Sequence, residues 1–288
     1  MALEVTFWGV RGSIPAPGAE YNRYGGNTAC ISVRSGSGAL LVLDAGTGIT
    51  VLGRSLMGRE FGRGAGRATV LLTHAHWDHI QGFPFFAPVF VPGTRFAIYG
   101  PAGSPAMVEG ILEGQMNPHF CPVHSLRNLG AEIEFRATQE GQEMELDDIA
   151  VVGRSNPHGR TSALAYRLEE RSGASIVYAP DAGYVDGRPA EALCQLYRGA
   201  RLLIHDCTYT PEDQEVRRSR GHSSVADAAR VAAACRVKTL VMFHYDQDYT
   251  DVQVDALRRA CRQHLDSEPG GSDVGLVAAH EGLSVTIE

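Results

Sequence analysis

A chain of 288 residues with 44% hydrophobic and 20% charged side chains can bury a sizeable core, which excludes disorder, and its 33 glycines follow no collagen-like or heptad period. The formal net charge of -7 makes the surface as a whole repel a phosphate backbone, so long nucleic acid is disfavoured as a partner and any phosphate recognition has to be local. The length suits one layered α/β domain spanning 1–288, with insertions.

Taken in chain order, short β-rich runs end in Gly-, Asp- or His-containing turns. They predict strands at Glu4–Trp8, Cys30–Val33, Ala39–Leu43, Ala68–Leu72 and Arg95–Tyr99, with a Gly-rich loop at Gly62–Gly66. A helix is expected over Ser104–Met116, where Met107, Val108, Ile111 and Leu112 recur at helical spacing. Strands follow at Ala163–Leu168, Ser175–Tyr178 and Leu202–Ile204, then a serine-capped helix at Ser223–Cys235 and a strand at Thr239–Phe243. An amphipathic helix at Val252–Leu265 and a loop at Ser267–Ser272 complete the pattern. This mixture reads as layered α/β. The opening residues, acidic at Glu4, read as a first strand and not a signal peptide, and no apolar run approaches the roughly 18 residues of a membrane span. Cys30, Cys121, Cys194, Cys207, Cys235 and Cys261 lie far apart and read as free thiols, so a cytoplasmic protein is expected.

The densest chemistry is Thr73-His74-Ala75-His76-Trp77-Asp78-His79, directly after the apolar strand Ala68–Leu72. Imidazole and carboxylate suit zinc and related divalent ions, and a loop leaving a strand can aim alternate side chains at one point. Helix capping or plain surface exposure explains a lone histidine but not this cluster.

With its His-x-His-x-Asp-His run, the chain resembles the metallo-β-lactamase superfamily, and further motifs extend the likeness. Asn156-Pro157-His158-Gly159, Ala179-Pro180-Asp181 and Phe243-His244-Tyr245 fall in the order that the resemblance implies, and Leu43-Asp44-Ala45-Gly46-Thr47-Gly48 is similar to the first motif, whose Asp supports the site without binding metal. The resemblance implies a four-layer αβ/βα sandwich: two mixed β-sheets flanked by helices, with the metals where strand-end loops converge. It implies two divalent cations, zinc first with manganese or iron as alternatives. One would be held by His74, His76 and His158, the other by Asp78, His79 and His244, with Asp181 bridging. Metals about 3.5–4 Å apart can share a hydroxide and lower its pKa toward neutrality, which is hydrolytic chemistry.

Departures from individual branches narrow the reading. Flavodiiron proteins place Glu where this chain has His76, and the main β-lactamases have Cys where Asp181 stands. Enzymes similar to glyoxalase II share the ligand set but add a basic C-terminal glutathione site that has no counterpart here. Two segments point to phosphodiesters instead. Leu203-Ile204-His205-Asp206-Cys207-Thr208 resembles the His-Glu-Ala-Thr loop of ribonuclease Z-like enzymes, and Gly221-His222-Ser223-Ser224 resembles their His-Ser-Thr loop. That resemblance implies His222 as proton donor to the leaving oxygen and Asp206 as its orienter, with Asp78 both a ligand and a catalytic residue. A carboxylate-paired imidazole keeps enough cationic form near neutral pH to protonate a poor leaving group.

Other residues stay open at this stage. His205 reads as a strand-end histidine or a site residue, and Arg11, among the Gly-rich turns Gly9–Pro15 and Tyr24–Thr28, as a phosphate ligand or a structural turn. Gln115–Pro122 is a candidate pocket wall, and Met116, Phe120 and Phe83–Phe86 are candidates for ring stacking or for core. The expected function is a metal-dependent phosphodiesterase acting on a small or cyclic phosphodiester through a hydroxide shared by two metals, with a homodimer an open possibility. The alternatives are a thioester, lactone or other ester hydrolase and a tRNA 3′-processing endonuclease. The second is weakened because Gly130–Asp148 is rich in Glu and Asp rather than Lys and Arg. A non-catalytic domain that merely kept the fold would have lost ligands, and none is lost.

Overall fold

The computed structural model describes residues 2–101, 103–184 and 187–288; Met1, at the head of the first predicted strand's segment, lies outside them. Strands β1 (Leu3–Gly9), β2 (Cys30–Arg34), β3 (Leu40–Leu43), β4 (Arg67–Leu71), β5 (Arg95–Gly100) and β6 (Glu132–Ala137) belong to the first sheet. Strands β7 (Glu143–Leu146), β8 (Ile149–His158), β9 (Thr161–Glu170), β10 (Ser175–Ala179), β11 (Leu202–Asp206), β12 (Thr239–Phe243) and β13 (Gly275–Ala278) form the second, and β14 (Ser284–Ile287) returns to the first. The orders are β14-β1-β2-β3-β4-β5-β6 and β13-β12-β11-β10-β9-β8-β7. Each sheet is mixed in the same way: β3 to β6 run parallel and β14 to β3 antiparallel, while β10 to β13 run parallel and β7 to β10 antiparallel.

The layers follow from side-chain alternation along strands buried on both faces. In β3, Leu41 and Leu43 join an inter-sheet core with Val5, Phe7, Ile31, Tyr166, Ile176 and Phe243, whereas Leu40 and Val42 face a second core with Ile49, Leu52, Phe96 and Val108. Helices α1 (Gly48–Met57) and α3 (Pro105–Gly114) cover that second core, with the short α2 (Trp77–Ile80) between them in sequence. Against the other sheet pack α4 (Glu191–Tyr197), α6 (Val225–Ala234) and α7 (Asp251–Ser267), with the short α5 (Pro211–Val216) preceding α6. The result is helix, sheet, sheet, helix, the four-layer sandwich expected. Among the described residues no helix is long and apolar enough to cross a membrane, and all six cysteines are free.

Predicted boundaries shift where caps decide them. Ser104 lies outside α3, its hydroxyl accepting from Met107 N, and Ser224 rather than Ser223 caps α6, in a capping box with Asp227. Helices α1, α4 and α5 and strands β6, β7, β8, β13 and β14 were not anticipated; β6 and β7 are half-exposed edge strands whose acidic residues hide the alternation.

Of the two readings left open for Arg11, phosphate ligand and structural turn, the structural one holds, and the side chain is a strap. It is fully buried, its Nε donating to Gly25 O at 2.8 Å and Nη1 to Tyr249 O at 2.5 Å and Asp246 O at 3.3 Å. Met116, Phe83 and Phe86 are also buried in the helix-side core, leaving Phe85 and Phe120 exposed among the residues considered for stacking.

Candidate metal centre

In open α/β sheets, ligands gather beyond the carboxyl ends of parallel strands. Here the ends of β3, β4, β10, β11 and β12 converge with the end of β8. After β4 the chain passes through Leu72 and Thr73 into His74 and His76, and α2 then carries Asp78 and His79. Asp44, just past β3, fixes this loop from below: its Oδ1 accepts from Thr73 N at 2.7 Å, and its Oδ2 accepts from Thr73 Oγ1 at 2.9 Å and Tyr178 O–H at 2.8 Å. The same Oδ2 lies 2.7 Å from His79 Nδ1, so the other ring nitrogen faces the cluster.

The second sheet supplies the rest. His158 ends β8, its Nδ1 donating to Gly221 O at 2.9 Å, which leaves Nε2 for the cluster, 3.2 Å from His76 Nδ1. His244 follows β12 with φ +61, a left-handed backbone uncommon for a residue with a Cβ. That turn brings its Nε2 to 3.3 Å from Asp78 Oδ2 and 3.4 Å from His79 Nε2. Gly12 lies under this ring, where a Cβ would come within 2.2 Å of the imidazole. Asp181, beyond β10, sits centrally: Oδ2 is 3.1 Å from His79 Nε2 and 3.5 Å from His244 Nε2, and Oδ1 is 3.5 Å from His158 Nε2.

Among the described residues, five groups of three present ligand atoms within 4.8 Å of one another, and they include the two expected trios, His74, His76 and His158, and Asp78, His79 and His244. Asp181 approaches both. All are buried except His76, where the cluster opens to solvent. The donor set fits a pair of divalent cations. His74 Nε2 is buried without a hydrogen-bond partner, and imidazole with carboxylate suits zinc, manganese or iron.

The electrostatics point the same way. Burial, joined by the charge of His79, holds His74 well below the ordinary histidine range, and burial with His158 lowers His76. At His79 burial opposes the charge, but Asp78, Asp44 and Asp181 outweigh it and raise the pKa well above the usual value. His244, with burial likewise outweighed by Asp181 and Asp78, is pushed up to about 9. Burial also works against the carboxylates of Asp78 and Asp181, yet these imidazoles hold both well below the usual range. Buried carboxylates facing one point stabilise positive charge there.

His222 lies over this cluster, its ring centroid 4.9 Å from that of His158 and 5.1 Å from that of His244. Its Nδ1 is 3.0 Å from Asp206 Oδ2, and Nε2 has no protein partner among the described residues. Asp206, fully buried at the end of β11, also accepts from Ala182 N, Ser223 N, Thr208 N and Thr208 Oγ1. Burial would raise its pKa, but the His222 charge and hydrogen bond lower it. Gly221 makes this placement possible: it has φ +72, and a Cβ on it would stand 1.8 Å from Gly159 N. His205 turns away from the cluster. Its Nδ1 donates to Asp206 O at 2.8 Å and its Nε2 accepts from Tyr184 O–H at 2.8 Å, so the strand-end reading holds.

Supporting residues escaped the sequence reading. Thr73 and Thr208 carried a weak signal, standing beside a ligand motif and two residues after an acid. Tyr178 on Asp44, and Ser13, whose N–H donates to Asp78 Oδ2 at 2.6 Å, depend on contacts between distant segments.

Comparison with known proteins places this geometry. The family model described as a beta-lactamase superfamily domain matches residues 41–245. Ribonuclease Z of Mycobacterium bovis is 32% identical over 262 residues, covering 84% of this chain and 86% of its own. Among solved structures, the metallo-beta-lactamase fold protein YhfI from Bacillus subtilis superposes with a TM-score of 0.70 at 20% identity, covering 99% of each chain. A diphosphatase from the PhnP family superposes at 0.67 and 18% identity, covering 98% of this chain and 97% of its own. The two structural likenesses establish the fold.

Proposed function

Because this chain belongs to the beta-lactamase superfamily, whose members imply divalent metal ions, we propose that it is a two-cation hydrolase of phosphodiesters, acting on a small or cyclic diester. The observation that carries the reading is the His222–Asp206 pair over the metal centre, Nδ1 to Oδ2 at 3.0 Å. His74, His76 and His158 would hold one cation and Asp78, His79 and His244 the other, with Asp181 between them and zinc the first candidate. When bound, such a pair supplies a nucleophile from water at neutral pH and offsets charge developing on phosphorus oxygens.

The chain's own residues supply orientation and the proton. Asp44 holds His79 by its Nδ1, and the Gly221 carbonyl holds His158 by its Nδ1. Asp206 keeps the Nδ1 proton on His222, so Nε2 is the nitrogen that gives a proton to the departing alkoxide. Ester hydrolysis with an acidic leaving group needs no such donor, whereas a diester losing an alkoxide does.

A polynucleotide substrate is the second reading, favoured by the 32% identical relative named ribonuclease Z. The net charge of -7 and the acidic Glu132, Glu134, Glu143 and Glu145 on β6 and β7 favour small substrates. The test combines metal analysis with turnover of adenosine 2′,3′-cyclic phosphate, a 3′-extended tRNA transcript, a thioester and a lactone. About two metals per chain are expected, with cyclic diester turnover falling about 10²–10⁴-fold in His222→Ala. Turnover of the transcript alone would establish the second reading, and turnover of thioester or lactone alone would sink both.

A further inference from the structure

The centre opens at His76, and the next side chain, Trp77, is 71% exposed. Consecutive Cα atoms are about 3.8 Å apart, so Trp77 stands one residue from a member of each trio, His76 and Asp78. Its backbone is fixed, because the Trp77 carbonyl accepts from Gln81 N at 2.7 Å and α2 begins at this residue. Ile14, 56% exposed, directly follows Ser13, the residue whose N–H binds Asp78 Oδ2. Leaving an indole and a branched aliphatic chain in water so near the ligand cluster forgoes burial energy that either would gain in a core.

The loops that carry His158 and His222 differ in chemistry. Arg160 and Arg220, both exposed, lie two residues from His158 and His222, on loops that touch where Gly159 meets Gly221. Arg220 Nη1 is 4.0 Å from Asp246 Oδ2, and Arg160 has no carboxylate partner among the described residues.

We infer that Trp77 is a stacking platform for a nucleobase, so that the substrate is a nucleotide phosphodiester whose base lies over the His76–Asp78 rim and whose anionic part faces Arg160 and Arg220. The inference rests on the proposed phosphodiesterase reading and narrows it to a substrate class. A flat aromatic face suits every base, and its removal costs a stacked ligand about tenfold or more in affinity.

The experiment compares two diesters with the same leaving group, thymidine 5′-(4-nitrophenyl phosphate) and methyl 4-nitrophenyl phosphate, in the metal-loaded wild type, Trp77→Ala and Trp77→Phe. The ratio of their kcat/KM values should fall about tenfold in Trp77→Ala and recover in Trp77→Phe. Damage to the ligand loop would lower both substrates alike and leave the ratio unmoved, which overturns the inference. A second readout needs no turnover. The chain has two tryptophans, and in Trp8→Phe the remaining fluorescence belongs to Trp77; thymidine 5′-monophosphate should quench it and inorganic phosphate should not. Fluorescence that follows protein concentration instead of nucleotide would make Trp77 a contact between copies and end the proposal. If the wild type turns over neither diester, the phosphodiesterase reading fails, and the quenching alone decides whether Trp77 binds a base.

Discussion

The two sheets build their shares of the centre by different means. The first contributes His74, His76, Asp78 and His79 from one loop and its short helix, braced by a single acid, Asp44. The second contributes His158, Asp181, Asp206, His222 and His244 from four strand ends and a loop, held in place by backbone crossings as much as by side chains. A local motif depends on the groups that orient it, whereas an assembled one depends on how closely separate segments can approach. The two halves should therefore fail differently when altered.

The largest effect is expected in the assembled half. Gly221→Ala would place a methyl group 1.8 Å from Gly159 N, against backbone that cannot swing aside, at a residue with φ +72. Overpacking and a left-handed backbone together should cost about 3 kcal/mol or more, read by chemical denaturation. Activity should also vanish, since His158 bonds the Gly221 carbonyl and His222 is the next residue. Gly173→Ala is the control: it has φ +90 but no atom within 4 Å of the added carbon, so only the backbone penalty of about 1 kcal/mol should appear. Equal losses in the two variants would show that the crossing is not what holds this half together.

The local half should respond through ligand orientation and not through collapse. Asp44→Asn keeps the shape but replaces one carboxylate oxygen with an amide that cannot accept from His79, Tyr178 and Thr73 together. A supporting acid behind a ligating imidazole is worth about 10–100-fold in metal affinity. Chelator competition on the folded variant should show that loss, and unchanged affinity would mean that the loop holds its ligands without Asp44.

The same contrast explains what could be read from the sequence. His74 to His79 announced themselves because their spacing is short enough for one loop to satisfy. His158, Asp181 and His244 carried no such signal singly, and only their order relative to the first motif made them visible. Most strands of both cores were legible from apolar runs bounded by turns, since continuous hydrophobicity marks strands buried on both faces, but β8, which adds Ile149 and Val151 to the inter-sheet core, was not. The edge strands β6 and β7 were not, because Glu132, Glu134, Glu143 and Glu145 make them look like loop. Arg11 stayed open between phosphate ligand and structural turn because a Gly-rich turn looks the same whether its arginine faces an anion or the carbonyls of Gly25 and Tyr249. A buried cation satisfied by backbone oxygens leaves no spacing pattern.

The smallest expected effect concerns His205, whose place beside Asp206 invites a catalytic reading that its bonds deny. Both ring nitrogens are engaged, Nδ1 by Asp206 O and Nε2 by Tyr184 O–H, and the Tyr184 hydroxyl also lies 3.0 Å from that of Tyr197. Tyr184→Phe leaves a buried ring nitrogen unsatisfied and should cost about 1–2 kcal/mol in denaturation, with turnover per folded molecule nearly unchanged. Burial holds the His205 pKa below its ordinary value of 6.5, so under acid conditions the unfolded chain takes up a proton that the folded chain refuses. Stability due to this group is therefore lost as pH falls below about 6.5, until the folded value is reached. His205→Gln removes the titration and keeps a donor and an acceptor, so the stability gap between wild type and variant should narrow as pH falls through that window. A gap that widens there would mean that His205 gains a proton on folding, and would return it to the acid–base chemistry from which its hydrogen bonds exclude it.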